Sequence, residues 1–436
     1  YIQGYQNEKE ELGEKQLQDT IEKLKQEYRK KDCVILYFIG LTESYEGEGY
    51  DRKNLKIPQN QKELLDEIAE TVGKNHIAAI SFGGAPMDFS FEKNVGAILH
   101  MYLGGQAVGE SVADLISGEV NPSGKLAETI PFSEKDTPAW RYFAPPNDDV
   151  EYRESIFVGY RYYETFHVPV KYPFGYGLSY TSFSYSELNV PEVYSGGKIQ
   201  IRFKIKNIGK VSGAEIAQLY ICPNESDVIR SHIELKGFQK IYLHPGEEKE
   251  VILELDERSF SVYDVEKKAF SMLSGKYQIC IGASVHDLQL KANMEVVGNS
   301  YFRNERELFP DYFREQPHGM EISAEQFYQL LGGEPKHDKG KKRGEYTVYD
   351  SYQDVVNVSM FGKFVRGVVH IGLKIILRGK SERDPAFKMV KMGVEEGNLE
   401  GLIATSGGIA TPKLIDMLVY NANKKYLQAF KRLLKK

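Results

Sequence analysis

Cys33-Val34-Ile35-Leu36-Tyr37-Phe38-Ile39 is an uninterrupted apolar run of strand length, and Glu43-Ser44-Tyr45-Glu46-Gly47-Glu48-Gly49-Tyr50-Asp51-Arg52 follows it closely. An apolar run bounded by polar sequence reads as a buried strand. Four carboxylates within nine residues then stand just past its C-terminal end. Open α/β sheets bind ligands at that edge. Glycines let a loop turn carboxylates inward, and a carboxyl crowded by other carboxyls and rings can become a proton donor. Outward from this stretch the pattern alternates. A helix is expected over 15–30, where Leu17, Ile21 and Leu24 share a face. Another is expected from Gln59 to Val72, opened by Pro58. Strands are expected at His76–Phe82, ending in Gly83-Gly84-Ala85-Pro86, and at Val95–Tyr102, ending in Gly104-Gly105; a helix at Ala107–Ile116 stops before Gly118. Strands alternating with helices indicate a parallel sheet. With no GxGxxG or GxxxxGK[ST], the glycine pairs read as tight turns rather than phosphate cradles.

From Asn121 to Thr181 the chain is rich in Pro, Gly and aromatic residues and reads as a long ordered linker. From Phe183 onward the period becomes two: Ile199, Ile201, Phe203 and Ile205 alternate with polar residues, and Val251, Ile252, Leu253 and Leu255 do so less cleanly. With turns at Asn207-Ile208-Gly209 and Pro245-Gly246, this predicts an antiparallel sandwich. The C-terminal residues show helical spacing over about 350–377, 385–395, 397–404 and 412–434. The expected architecture is multidomain: an α/β sandwich domain with a parallel sheet at 1–135, a linker at 136–182, an all-β sandwich at 183–298, a linker at 299–346 and an α-helical region at 347–436.

Composition narrows the function. The 436 residues carry a net charge of −6, which gives no reason to expect a nucleic-acid partner. The most apolar segment, Met360–Leu377, contains Lys363, Arg366, His370 and Lys374, so it reads as an amphipathic helix and no membrane partner is expected. The basic C-terminus reads as a packed helix whose cations suit the helix dipole. The nine histidines show no ligand spacing, and neither a metal nor a cofactor is expected. Three cysteines, Cys33, Cys222 and Cys280, argue against a disulfide framework; a bacterial cytoplasmic location is expected, with export left open. The 29 tyrosines suit sugar faces as well as sandwich surfaces.

Several segments together resemble glycoside hydrolase family 3, the β-glucosidase-like enzymes. Glu46-Gly47-Glu48-Gly49-Tyr50-Asp51-Arg52 resembles that family's acid/base loop, and Pro58-Gln59-Asn60-Gln61 the helix start after it. Gly104–Glu110 and Gly118–Leu126 resemble the end of its α/β sandwich domain. Phe157–Tyr163 and Tyr172–Tyr180 resemble its linker, and Gln218-Leu219-Tyr220 and Leu235-Lys236-Gly237-Phe238 its fibronectin type III-like domain. Residues 300–436 resemble the helical extension of some bacterial members. The resemblance implies retaining hydrolysis, in which one carboxylate attacks the anomeric carbon and a second carboxyl protonates the leaving oxygen. It places the acid/base at Glu48, with Glu46 as the alternative register; Asp51 and Arg52 support the loop, and Glu43 faces solvent. The chain also departs from the family. It has no Ser-Asp-Trp nucleophile motif, its one tryptophan, Trp140, follows Ala139, and no segment has the roughly 250 residues a (β/α)8 barrel needs. The resemblance therefore implies the C-terminal part of a larger enzyme, its α/β domain incomplete at the N-terminus. Its expected partners are an N-terminal barrel and a β-linked glycoside or oligosaccharide, β-glucosides foremost. Alone, it is expected to be inactive or nearly so. The rival expectation is a non-catalytic carbohydrate-binding or interaction module, since sandwich domains often serve as such.

Overall fold

The computed structural model describes residues 14–30, 33–42, 45–47, 52, 54–143, 150–224, 226–298, 304–334, 341–376, 384–395, 397–406 and 408–434. The chain divides into two compact units, one formed by residues 1–73, 82–84 and 336–436, the other by residues 74–81 and 85–335.

The amphipathic helix α1 (Glu14–Lys30) buries Ile21 and Leu24. It precedes strand β1 (Ile35–Gly40), which buries Tyr37 and Ile39 but leaves Leu36 and Phe38 exposed, so only one face of the apolar run is covered. Helix α2 (Gln59–Val72) follows, with Pro58 at its N-cap and Gly73 with φ +81° after its last turn. Leu64, Leu65, Ile68 and Val72 form the buried stripe of α2. Strand β2 (Ile77–Phe82) pairs in parallel with β3 (Ala97–His100), register Ala78 to Ala97 and Ser81 to His100. Helix α3 (Val108–Ser117) ends at Gly118, whose left-handed φ of +81° a side chain would resist.

The linker carries the short strand β4 (Ile130–Pro131), helix α4 (Tyr160–Thr165) and strand β5 (Val170–Tyr172), which pairs antiparallel with β4. The sandwich follows: β6 (Phe183–Asn189), β7 (Val193–Tyr194), β8 (Ile199–Asn207), β9 (Gly213–Pro223), β10 (Glu234–Leu243), β11 (Glu248–Leu255), β12 (Ser261–Asp264), β13 (Ala269–Met272), β14 (Gly275–Gly282) and β15 (Leu288–Val296). One sheet runs β10-β9-β14-β15-β7 and the other β11-β8-β6. Their inner faces meet in one core, Ile201, Phe203 and Ile205 on one side and Ala217, Leu219, Ile221, Ile279 and Ile281 on the other. Val251, Leu253 and Leu255 point into this core, and Ile252 points out.

β9 is buried along nearly its whole length because its outer face is covered too. There Tyr220, Ile233, Cys280 and Val285 cluster with Tyr160 and Phe174 of the linker, whose rings stack at 4.7 Å. Cys222 and Cys280, distant in sequence, sit on neighbouring strands with sulfurs 3.8 Å apart as free thiols. The linker aromatics are packing residues: the Tyr162 hydroxyl donates to Gln316 O (2.6 Å) and accepts from Gly319 N (3.0 Å). Residues 304–334 carry α5 (Glu305–Leu308) and α6 (Ala324–Leu331). Their Phe309, Tyr312, Met320, Ile322 and Phe327 share a core with Phe157, Tyr162 and Val168, packing that the segment's mixed composition does not announce.

The helical region comprises α7 (Tyr352–Asn357), α8 (Met360–Ile376), α9 (Pro385–Glu395), α10 (Leu399–Thr405), α11 (Pro412–Ala422) and α12 (Tyr426–Leu434). The helix expected over 350–377 breaks between α7 and α8. Ser359 Oγ accepts from Gly362 N (2.9 Å), and Gly362 lies so close to Val356 O that a Cβ there would stand 2.4 Å away. The helix expected over 412–434 breaks at Asn423-Lys424. Asn423 binds Gly344 N and Tyr346 N through Oδ1 and Tyr346 O through Nδ2, and Lys424 adopts φ +59°. Val355, Val356, Val365, Leu399, Ile415 and Leu418 form the core of this region.

Candidate active site

The end of β1 is clamped by one side chain of α2. Gln61 Oε1 accepts from Gly40 N (2.9 Å) and Gln61 Nε2 donates to Gly40 O (3.0 Å), so its amide imitates a neighbouring strand. Gln61 O also accepts from the Tyr37 hydroxyl at 2.6 Å. Gly40 must be a glycine, because a Cβ there would lie 2.5 Å from Phe82 O. Leu41 N donates to that same carbonyl at 3.1 Å. Immediately beyond, Tyr45 N and Glu46 N both donate to Thr42 O (2.8 and 3.1 Å), a tight turn that begins the acidic loop. Glu46 Oε1 then accepts from Gly84 N at 2.7 Å, pinning the loop to the Gly83-Gly84 turn. That turn, read from sequence as a tight corner, therefore also serves as a carboxylate anchor.

Burial pulls the Arg52 guanidinium below its ordinary value, and the nearby Glu46 charge partly offsets this. Arg52 Nη2 donates to Lys56 O at 3.4 Å. Burial also raises the Tyr45 hydroxyl. Of the sequence candidates, the structure thus brings Glu46 and Arg52 together. Glu43, Glu48 and Asp51 lie outside the described residues. Gln61 was legible only as part of a helix start; nothing in its spacing announces the clamp. Gln61→Leu is expected to destabilise the chain by about 1–3 kcal/mol, because Gly40 loses both partners. A lower urea midpoint checks this.

A second polar group gathers at the C-terminal end of β3. His100 Nδ1 lies 2.9 Å from Ser81 Oγ, and burial lowers the imidazole to about 4, so the ring is neutral at pH 7. Tyr102, 4.1 Å away ring to ring, is held at φ +49°, a conformation that non-glycine residues resist. Burial raises both the Tyr102 hydroxyl and the Glu128 carboxyl. Glu92 accepts from the Tyr172 hydroxyl (2.5 Å) and pairs with Lys171 (2.5 Å). Sequence reasoning missed this group because its members are spread over about 90 residues. Among the described residues no set of three His, Cys, Asp or Glu is arranged to hold a metal ion.

Residues 2–180 match the model of the glycosyl hydrolase family 3 C-terminal domain, and residues 215–285 match a fibronectin type III-like domain. The chain carries the C-terminal domain of glycosyl hydrolase family 3. Thermostable β-glucosidase B of Acetivibrio thermocellus is 41% identical over 298 residues, 68% of this chain and 38% of that protein. Exo-α-(1→6)-L-arabinopyranosidase of Bifidobacterium breve is 37% identical over 273 residues, 63% of this chain and 36% of that protein. Among solved structures, the family 3 β-glucosidase of Bifidobacterium adolescentis superposes with a TM-score of 0.64 at 35% identity, over 68% of this chain and 43% of that one. The chain thus spans between a third and a half of the length of these relatives. The family 3 domain takes in α1 through β5 and the whole acidic loop, while the linker carries it into the sandwich. Gln218 makes the joint: its Nε2 donates to Gly175 O (3.2 Å) and to Ala283 O (2.8 Å), and a Cβ on Gly175 would collide with it.

Proposed function

We propose that this chain supplies the general acid/base of a retaining β-glycosidase acting on β-glucosides or related β-glycosides, and that the nucleophile comes from outside these 436 residues. The observation that carries the reading is the family 3 match over the acidic loop, joined to the way that loop is held. Glu46 already has a structural task on Gly84 N, which favours Glu48 as the proton donor. Arg52 balances the loop's charge beside Glu46, and Asp51 belongs to the same support. In the first step Glu48 protonates the glycosidic oxygen while the external carboxylate attacks the anomeric carbon. In the second, Glu48 takes a proton from the water that releases the sugar. General acid assistance typically supplies about 10²–10⁴-fold, a small share of what glycoside cleavage requires, so this chain alone turns over little or nothing.

The test compares two proteins on p-nitrophenyl β-glucoside: the folded chain, and a chimera in which residues 1–298 replace the matching part of thermostable β-glucosidase B. The expected result is no turnover by the first and turnover by the second. A folded but inactive chimera that still retains glucan on an affinity gel would favour the binding-module reading instead.

A further inference from the structure

Helix α8 contains Lys363, Arg366, His370 and Lys374 and no acidic residue. One of its apolar faces is spent: Val365, with Phe361 and Val369 beside it, packs into the helical core. A second is not. Met360, Phe364, Val368, Ile371 and Ile375, spaced four, four, three and four residues apart, are each more than half exposed. At 100° per residue they form one stripe along a helix about 25 Å long, with Lys363 and Lys374 on its flank. The same chemistry recurs on α12, where Tyr426, Leu427, Phe430 and Leu434 are more than half exposed and Lys431 flanks them, while Arg432 is paired with Asp416. Residues 347–436 hold fifteen Lys or Arg against eight Asp or Glu, an excess of seven positive charges in a chain of net charge −6.

From this we infer that the helical region docks on the surface of an anionic phospholipid bilayer, with the α8 stripe in the interface and its cations among the headgroups. A basic amphipathic helix with an uncovered apolar face suits such a surface. A second copy is the poorer occupant, because it would bring a patch of the same sign against this one. Among the described residues no helix is long and apolar enough to cross a membrane, so the region lies on the bilayer rather than in it. This departs from the sequence expectation of no membrane partner, and it rests on the exposed faces and positive charge of this region, independently of the glycosidase reading.

The test is co-sedimentation of the whole chain with phosphatidylcholine vesicles, with and without phosphatidylglycerol. Binding is expected only with phosphatidylglycerol, weakening at least tenfold in high salt and at least tenfold in Phe364→Ser/Ile371→Ser. Should that variant misfold by circular dichroism, Lys363→Glu/Lys374→Glu, at two exposed positions, is expected to lose binding to the same degree. Absence of binding, or binding that neither pair alters, overturns the proposal. So does a solution dimer that Phe364→Ser/Ile371→Ser converts to monomer with no vesicle binding in either form, which would assign the stripe to a second copy.

Discussion

In the active chimera, Glu48→Ala is expected to slow hydrolysis of alkyl glucosides and cellobiose by about 10²–10⁴-fold and to spare substrates with activated aryl leaving groups in their first step. The difference follows from the proton's destination. An alkoxide is a poor leaving group and needs protonation as the bond breaks; a nitrophenolate leaves without it. The check is kcat/KM across a series of leaving-group pKa values, where the variant's plot steepens. Glu46→Ala is expected to behave differently. It frees the loop from Gly84 N and lowers activity on both substrate types together, since small displacements of catalytic groups are costly whatever the leaving group. If Glu46→Ala shows the leaving-group signature and Glu48→Ala does not, the register of the loop is two residues off.

Arg230→Ala is expected to destabilise the sandwich by about 3–5 kcal/mol, the usual effect of removing one partner from a buried ion pair. Arg230 is almost wholly buried. Its Nε and Nη2 donate to Glu234 Oε1 (3.2 and 2.8 Å) and its Nη1 to the Tyr277 hydroxyl (2.9 Å). Burial by itself would raise the Glu234 carboxyl, but Arg230 and then Lys236 outweigh it and hold the group below its ordinary 4.5. The folded value is thus lower than the unfolded one. The pair's contribution is complete above about pH 4.5 and is lost as pH falls through the folded value. Denaturant unfolding between pH 7 and 3 should show this acid loss in the parent and a smaller one in Arg230→Ala.

Much of the fold is readable because its signals are local. Pro58 and Gly73 bracket α2 at the residues the apolar spacing selects, Gln59 and Val72. The alternation Ile201, Phe203, Ile205 states which face of β8 is inward. Ile252, which blurs the pattern of β11 on paper, is simply an exposed apolar residue. What the sequence hides are contacts made at long range. The buried outer face of β9 depends on Tyr160 and Phe174, and the core of residues 304–334 depends on partners about 150 residues away. The breaks after α7 and α11 come from Ser359 and Asn423 hydrogen bonding, which outweighs a continuous helical period. At the candidate site the acidic loop is conspicuous as composition, whereas the Gln61 clamp and the Gly84 anchor for Glu46 are visible only once strand ends and turn are placed in space.

The central claim is that Glu48 is the acid/base and the nucleophile is another carboxylate. The most direct measurement is the configuration of the product formed by Glu48→Ala in the chimera with sodium azide and 2,4-dinitrophenyl β-glucoside, read by proton NMR. Azide would occupy the space left by Glu48 and displace the nucleophile from the glycosyl-enzyme, so two inversions give β-glucosyl azide. The account predicts that product together with accelerated turnover. α-Glucosyl azide would make Glu48 the nucleophile and contradict the account, and turnover indifferent to azide would remove Glu48 from the chemistry.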